Sequence, residues 1–285
     1  MNLVTSMRAI GAGLLAVALA GCAAMAVQRM SDNLSVVLLD QDDPATVKAG
    51  APAFLLLLDG LLKDSPDDAT LLLASARLHG AYAAAFVDDS ERAKRLAAKA
   101  HDYARRAMCL RHAAVCAAEE GSLDAFTAAV AKISAADATL LYVYATTWVG
   151  VIQTERGWED VADLPKVEAA LERVVQLDEG LDHGQPHVYL GALRSQLPPA
   201  LGGDPERGRR HFERAIELSQ GRNLIAKVEL SRRYARLVFD RPLHDRLLSE
   251  VVDADPHEPG LTLSNTIAQV QARELLDTSA DYFPE

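Results

Sequence analysis

Three observations predict an all-α fold for this chain. Ala and Leu dominate, and long β-branched runs are absent. Aromatic residues make up only 5% of the sequence, which suits helices better than strands. Apolar residues recur at helical spacing between Asp or Ser starts and Pro or Gly stops. The expected architecture is a set of helical hairpins stacked into a compact, irregular α-solenoid or bundle.

The elements follow in order. Asp43 and Pro44 start a helix carrying Val47, Phe54, Leu55, Leu58, Leu61 and Leu62, and Asp64 to Pro66 ends it. Asp67–Val87 comes next, with Leu71, Leu72, Leu78 and Tyr82. Ser90 caps a third helix facing inward through Ala93, Leu96, Ala97, Ala100 and Tyr103. Leu123–Ile133 follows Gly121. Asp137 caps Thr139–Glu155, which is apolar almost all round, and such a helix belongs in a core or an interface. Asp163 to Pro165 opens Lys166–Leu177. His187–Ser219 reads as helix, turn, helix: Leu197 to Gly203 stops the first helix, and Asp204 with Pro205 starts the second. Gly191 lets a neighbour come close. Asn223–Phe239 pairs with Pro242–Val252, and Leu261–Leu276 ends the series.

The hairpins repeat loosely. Phe54, Leu58, Leu61 and Pro66 carry tetratricopeptide spacing, as do His244, Leu248, Val251 and Pro256. Ala170, Val174 and Leu177 fit the first three positions. The Leu197–Gly203 turn is too long for a standard repeat. The helical pairs are therefore tetratricopeptide-like and divergent.

The N-terminus reads as an address. Arg8 precedes a short apolar run, Ala9–Ala20, too short to span a bilayer. The run ends in Leu19, Ala20, Gly21 and Cys22, which resembles a bacterial lipobox. On this reading residues 1–21 are a lipoprotein signal peptide, Cys22 is acylated, residues 22–42 are a tether and lead, and residues 43–285 form the helical domain. Two or more acyl chains give stable anchoring. Ala23 after the Cys favours the outer over the inner membrane of a Gram-negative cell, so the expected place is the periplasm, lipid-anchored.

Cys109 and Cys116 remain. A continuous helix would hold their Cα atoms about 10 Å apart, beyond disulfide reach. Burial as small apolar residues is the expectation; a bridge requires a helix break near Leu110–His112.

The net charge of -11 argues against a nucleic-acid partner. No metalloprotease helix, phosphate loop or nucleophile elbow occurs. His183 and His187 straddle Gly184 and Pro186, so they read as a turn and not as a metal site. Neither a cofactor nor an enzymatic activity is expected. Binding is the better prospect. Tyr142, Tyr144 and Trp148 crowd one apolar helix, and Arg156 and Trp158 follow it. Leu197, Leu201, Gly202 and Gly203 form a rigid turn with Arg194 at its mouth. These ten residues are the candidate ligand or partner cleft. Trp148 and the tyrosines read first as ordinary core, and Arg194 as a partner of Glu206.

Several of these pieces occur in a known order: the lipobox, Trp148-Val149-Gly150, Leu164-Pro165, Leu177-Asp178, His187 with Leu190-Gly191, Leu197-Pro198 with Leu201-Gly202-Gly203, and Phe212-Glu213-Arg214-Ala215. In this order the chain resembles the TatT family, the T component of tripartite ATP-independent periplasmic (TRAP) transporters. The resemblance extends to Leu248, Asn265, Ala268, Ala272, Leu275 and Leu276. It implies a periplasmic tetratricopeptide-like lipoprotein without catalytic residues. Such a protein docks a TRAP solute-binding protein and handles a hydrophobic or organic-acid ligand. It also implies a homo-oligomer, a trimer first. A pure assembly scaffold of the cell envelope is the alternative.

Overall fold

The computed structural model describes residues 37–155, 162–196, 199–201 and 203–283. Cys22, Arg156, Trp158, Leu197 and Gly202 lie outside the described residues, as does the side chain of Leu201. The structure is all-α, and the described residues contain no strand.

The helices run α1 (Pro44–Asp64), α2 (Ala69–Phe86), α3 (Ser90–Arg111), α4 (Ala113–Glu119), α5 (Leu123–Val130), α6 (Ala138–Glu155) and α7 (Leu164–Leu177). They continue with α8 (Leu181–Arg194), α9 (Pro205–Leu218), α10 (Leu224–Glu229), α11 (Arg241–Asp253), α12 (Thr262–Asp277) and α13 (Ser279–Tyr282). A π-helical turn, Leu230–Ala235, extends α10. The starts obey capping chemistry. Asp43, Asp68, Asp204 and Asp240 each accept a backbone N–H of the first turn, and Pro sits at the head of α1, α7, α9 and α11.

Two starts differ from expectation. Asp89, not Ser90, caps α3, accepting from the Arg92 N–H at 2.7 Å. Asp137 does not cap α6. It closes a 3₁₀ turn, Ala135–Asp137, and its carboxylate takes Arg111 at 2.6 Å and His112 at 3.0 Å instead. The Arg111 guanidinium and the His112 ring at the α3 end take the carboxylate in place of a local backbone donor.

α6 is the central post. Leu141, Tyr144 and Ala145 are fully buried on it. α2, α3, α7 and α8 pack around it, and the largest core cluster runs through all five. α8, α9, α10 and α11 share a second cluster around Phe212 and Tyr234. α10, α11 and α12 close a third around Leu248 and Ala272. α1 covers one end. Its Asp59 accepts from Lys99 at 2.5 Å and from Tyr103 at 2.7 Å, both on α3. The Gly260 N–H donates to Asp40 at 2.5 Å, so the last hairpin meets the lead into α1.

The repeat spacing maps onto this packing. His244, Leu248 and Val251 are wholly buried, as are Ala170 and Val174. Phe54, Leu58 and Leu61 are only half-buried, because α1 lies at the end of the stack.

The α8–α9 hairpin is the tightest crossing. A Cβ on Gly191 would stand 2.8 Å from the Phe212 ring, and one on Gly208 would stand 2.1 Å from Ser195 Oγ. Each glycine is thus the seat of the opposite helix. Before α8 straightens, Asp182, His183 and Gly184 take left-handed φ values of 45°, 57° and 79°. Two of the three carry a Cβ, a conformation that costs about 1–2 kcal/mol per residue. Asn223 Nδ2 holds the turn by donating to the His183 carbonyl at 3.2 Å.

The cysteines correct the expectation of simple burial. The helix breaks at His112, where φ is -137°, and the Cys109 and Cys116 Cα atoms come within 5.6 Å to form a disulfide. His112 is recruited by Asp137, which sets the break that a helical reading of the stretch could not supply.

Two outcomes test this packing. Gly191→Val should lower unfolding free energy by about 1–3 kcal/mol through overpacking against Phe212, read by urea denaturation. Replacing both Cys109 and Cys116 by Ser should cost about 2 kcal/mol for so short a loop, and a reductant should lower the Tm of the parent chain but not of that variant.

Candidate functional site

Small residues on three helices leave a trough beside α6. Ala76, Gly80, Ala83 and Ala84 of α2 form one wall, and Ala93, Ala97 and Ala100 of α3 form another. Val143, Thr146, Gly150 and Gln153 of α6 form the floor. The space is about 250 Å³. It exists because the helices meet through side chains too short to fill the gap. A Cβ on Gly150 would find only Ala97 Cβ, at 3.8 Å. From Tyr142 to Thr154 the trough follows α6 for about 18 Å at 1.5 Å rise per residue.

The ends differ in chemistry. Thr146, Thr147 and Thr154 spend their hydroxyls on carbonyls one turn back on α6, so the Gln153 amide is the polar group left open on the floor. Tyr142, Tyr189, Arg77 and Asp182 close one end. Arg77 Nη2 reaches the Asp182 carboxylate at 3.2 Å. The left-handed turn at Asp182–Gly184 carries that carboxylate to the rim. Tyr142 and Tyr189 meet edge to face at 6.1 Å. Burial, with Tyr189 and Asp182 nearby, pushes the Tyr142 phenol well above its ordinary pKa, so it remains a donor at every ordinary pH.

The structure separates the residues singled out from the sequence. Tyr142 lines the trough. Tyr144 and Trp148 point to the other side of α6. The Tyr144 hydroxyl donates to the buried Glu119 at 2.5 Å, and Trp148 stacks on His101 and meets Phe126 edge-on. They are core. Arg194 pairs with Glu168 and Glu172 of α7, not with Glu206, which takes Arg209 and the Tyr234 hydroxyl. α7 lies alongside α8 and presents both carboxylates, whereas Glu206 faces α10 and its extension. Arg194 and Gly203 border a shallow recess of about 140 Å³ with Leu164, Pro165 and Glu168. It is separate from the trough and shares no lining residue with it.

Sequence reasoning missed Arg77, Gly80, Gly150, Asp182 and Tyr189. One signal was present: Ala93, Ala97 and Ala100 recur at helical spacing opposite a glycine of an otherwise bulky helix.

Histidines form no metal cluster among the described residues. His187 and His211 face each other through Nδ1 atoms 2.8 Å apart, across the α8–α9 crossing. One ring must donate and the other accept, so the pair carries at most one shared proton there. Burial lowers both, and the neighbouring His187 helps bring His211 to about 4.

With this geometry in hand, the comparisons place the chain. The model of the TRAP transporter T-component family matches residues 40–283. The chain belongs to that family. A comparison with curated proteins returns no match. The T-component match spans every helix from α1 to α13, so trough, disulfide and hairpin crossing all lie inside it. Membership associates the chain with a TRAP transporter, in a family of transport components and not of enzymes.

His101 gives the T-component body a pH dependence. Burial, aided by Arg105, lowers its pKa from 6.5 to about 4. Below 6.5 the unfolded chain takes up a proton that the fold refuses, so stability falls as pH drops toward 4. The loss at pH 5 should reach at most about 2 kcal/mol. Urea midpoints at pH 7 and pH 5 measure it, and His101→Phe should shrink the difference.

Proposed function

We propose that this chain is a periplasmic lipoprotein that docks the solute-binding protein of a TRAP transporter and holds its hydrophobic or organic-acid ligand in transit. The trough against α6 carries this reading. It is a preformed, elongated space with apolar walls and a polar end, which is what a ligand with an apolar body requires. The family match supplies the transporter context.

The rest of the reading has its own supports. The lipobox ending in Cys22 supports acylation and a membrane tether, with the outer membrane favoured by Ala23. The Cys109–Cys116 disulfide fits an oxidising compartment such as the periplasm. Leu56 is 72% exposed and Leu57 is 47% exposed on the outer face of α1. A second copy of the chain packed on that face would bury them, in keeping with a homo-oligomer, a trimer first.

The trough reading has a direct test. Gly150→Leu fills the middle of the trough from its floor, and Ala84→Leu fills it from the exposed rim. Each variant should keep its circular dichroism spectrum and lose binding of an apolar fluorescent probe by about tenfold or more. Unchanged binding in both would remove the trough from the mechanism. Co-purification with the solute-binding protein of the same transporter reads docking separately. Loss of that complex in Leu56→Glu, with monomers replacing oligomers, would tie docking to assembly.

A further inference from the structure

At the Tyr142 end of the trough, polar donors are unspent. Tyr142 is 8% exposed, yet its hydroxyl has no hydrogen-bond partner among the described residues. That hydroxyl faces the trough, where it can donate to the acceptor of a guest. Tyr189 stands beside it with its hydroxyl equally unpaired. Arg77 has five N–H donors and spends Nη2 alone, on a single contact to Asp182 at 3.2 Å. Nε and Nη1 remain open. Donors therefore converge at this end, beside one carboxylate held at the rim.

We infer that the Arg77 end of the trough is a carboxylate-recognition subsite, and that the ligand class is a carboxylate on an unbranched apolar tail. This rests on the reading of the trough as the ligand site and adds the chemistry of its head group. The carboxylate takes the open edge of the Arg77 guanidinium and the Tyr142 hydroxyl. A guanidinium offers a planar fork matched to two carboxylate oxygens. Asp182 positions Arg77: it holds the guanidinium at the rim without saturating it. The left-handed run Asp182–Gly184 fixes Asp182 there, since Gly184 packs against the Ala215 backbone, where a Cβ would approach Cα within 3.1 Å.

The tail is specified by the walls. Ala83, Ala97, Ala100 and Gly150 set a narrow, smooth channel along α6. A straight alkyl chain follows such a channel, whereas branched or ring-bearing bodies meet its sides. Asp182 also excludes a second negative charge. A dicarboxylate would bring its other anion either against Asp182 or into the apolar trough, and both are unfavourable.

Native mass spectrometry of the full chain released from detergent micelles tests this, with dodecanoate, dodecanol and dodecylamine offered at equal concentration. Dodecanoate should be retained about tenfold more than dodecanol. Arg77→Met should erase that preference, bringing dodecanoate retention down to that of dodecanol, and Tyr142→Phe should reduce dodecanoate retention several-fold. Arg77 is exposed, so its replacement leaves the core intact, and unchanged circular dichroism verifies this. Equal retention of acid and alcohol, or preference for the amine, would overturn the carboxylate subsite while leaving the trough as a site. Retention of no probe, matched by Gly150→Leu, would overturn the trough reading itself.

Discussion

The structure depends on the burial of α6. Its apolar residues occupy almost every direction around the axis, so the helix has no face that water can cover cheaply. The other helices are arranged to meet that demand. α3 and α7 take the Tyr144 and Trp148 side, where bulky side chains interlock. α2 and α3 take the opposite side, where α6 offers Thr146 and Gly150. There the partners bring alanines, and the burial is incomplete. The same requirement thus produces a packed core on one side and a trough on the other.

The two sides also differ in how polar groups are satisfied. On the packed side Glu119 is buried and takes both the Tyr144 hydroxyl and the Arg105 guanidinium, each at 2.5 Å, while Lys166 reaches the Glu119 carbonyl. This network ties α3, α4, α6 and α7 together and leaves the buried carboxylate partnered. On the trough side the threonines turn inward to their own helix, and the phenols of Tyr142 and Tyr189 are left without acceptors. A satisfied network marks architecture. On the trough side the same helix leaves polar groups open.

Much of the fold was legible in the sequence because helix starts and stops are local. Asp43 and Asp204 directly precede prolines and Asp240 stands two residues before Pro242, and the chain turns where those pairs predict. The close approach at Gly191 was legible for the same reason, although its partner Phe212 lies on the next helix. What escaped reading depends on distant partners. Asp137 looks like a cap until Arg111 and His112 arrive from α3, and with them come the break and the disulfide. At the site, Tyr142 was legible as part of an aromatic cluster, but Tyr144 and Trp148 looked identical to it. Only the rotation of α6 against its neighbours assigns one aromatic to the trough and two to the core. Arg77 and Asp182 are 105 residues apart, so no local pattern joins them.

The trough also bears on how such a body couples binding to stability. Interiors pack densely, and each unfilled stretch forfeits dispersion contacts along its lining. An apolar guest that restores those contacts stabilises the fold by mass action, since the unfolded chain offers no trough. The stabilisation is focused on the contacts among α2, α3 and α6, because those three helices line the space. α1 packs on α2 and reaches α3 through Asp59, so the outer face bearing Leu56 and Leu57 rides on the same helices. The exposed face of α1 and the walls of the trough therefore rest on the same two helices.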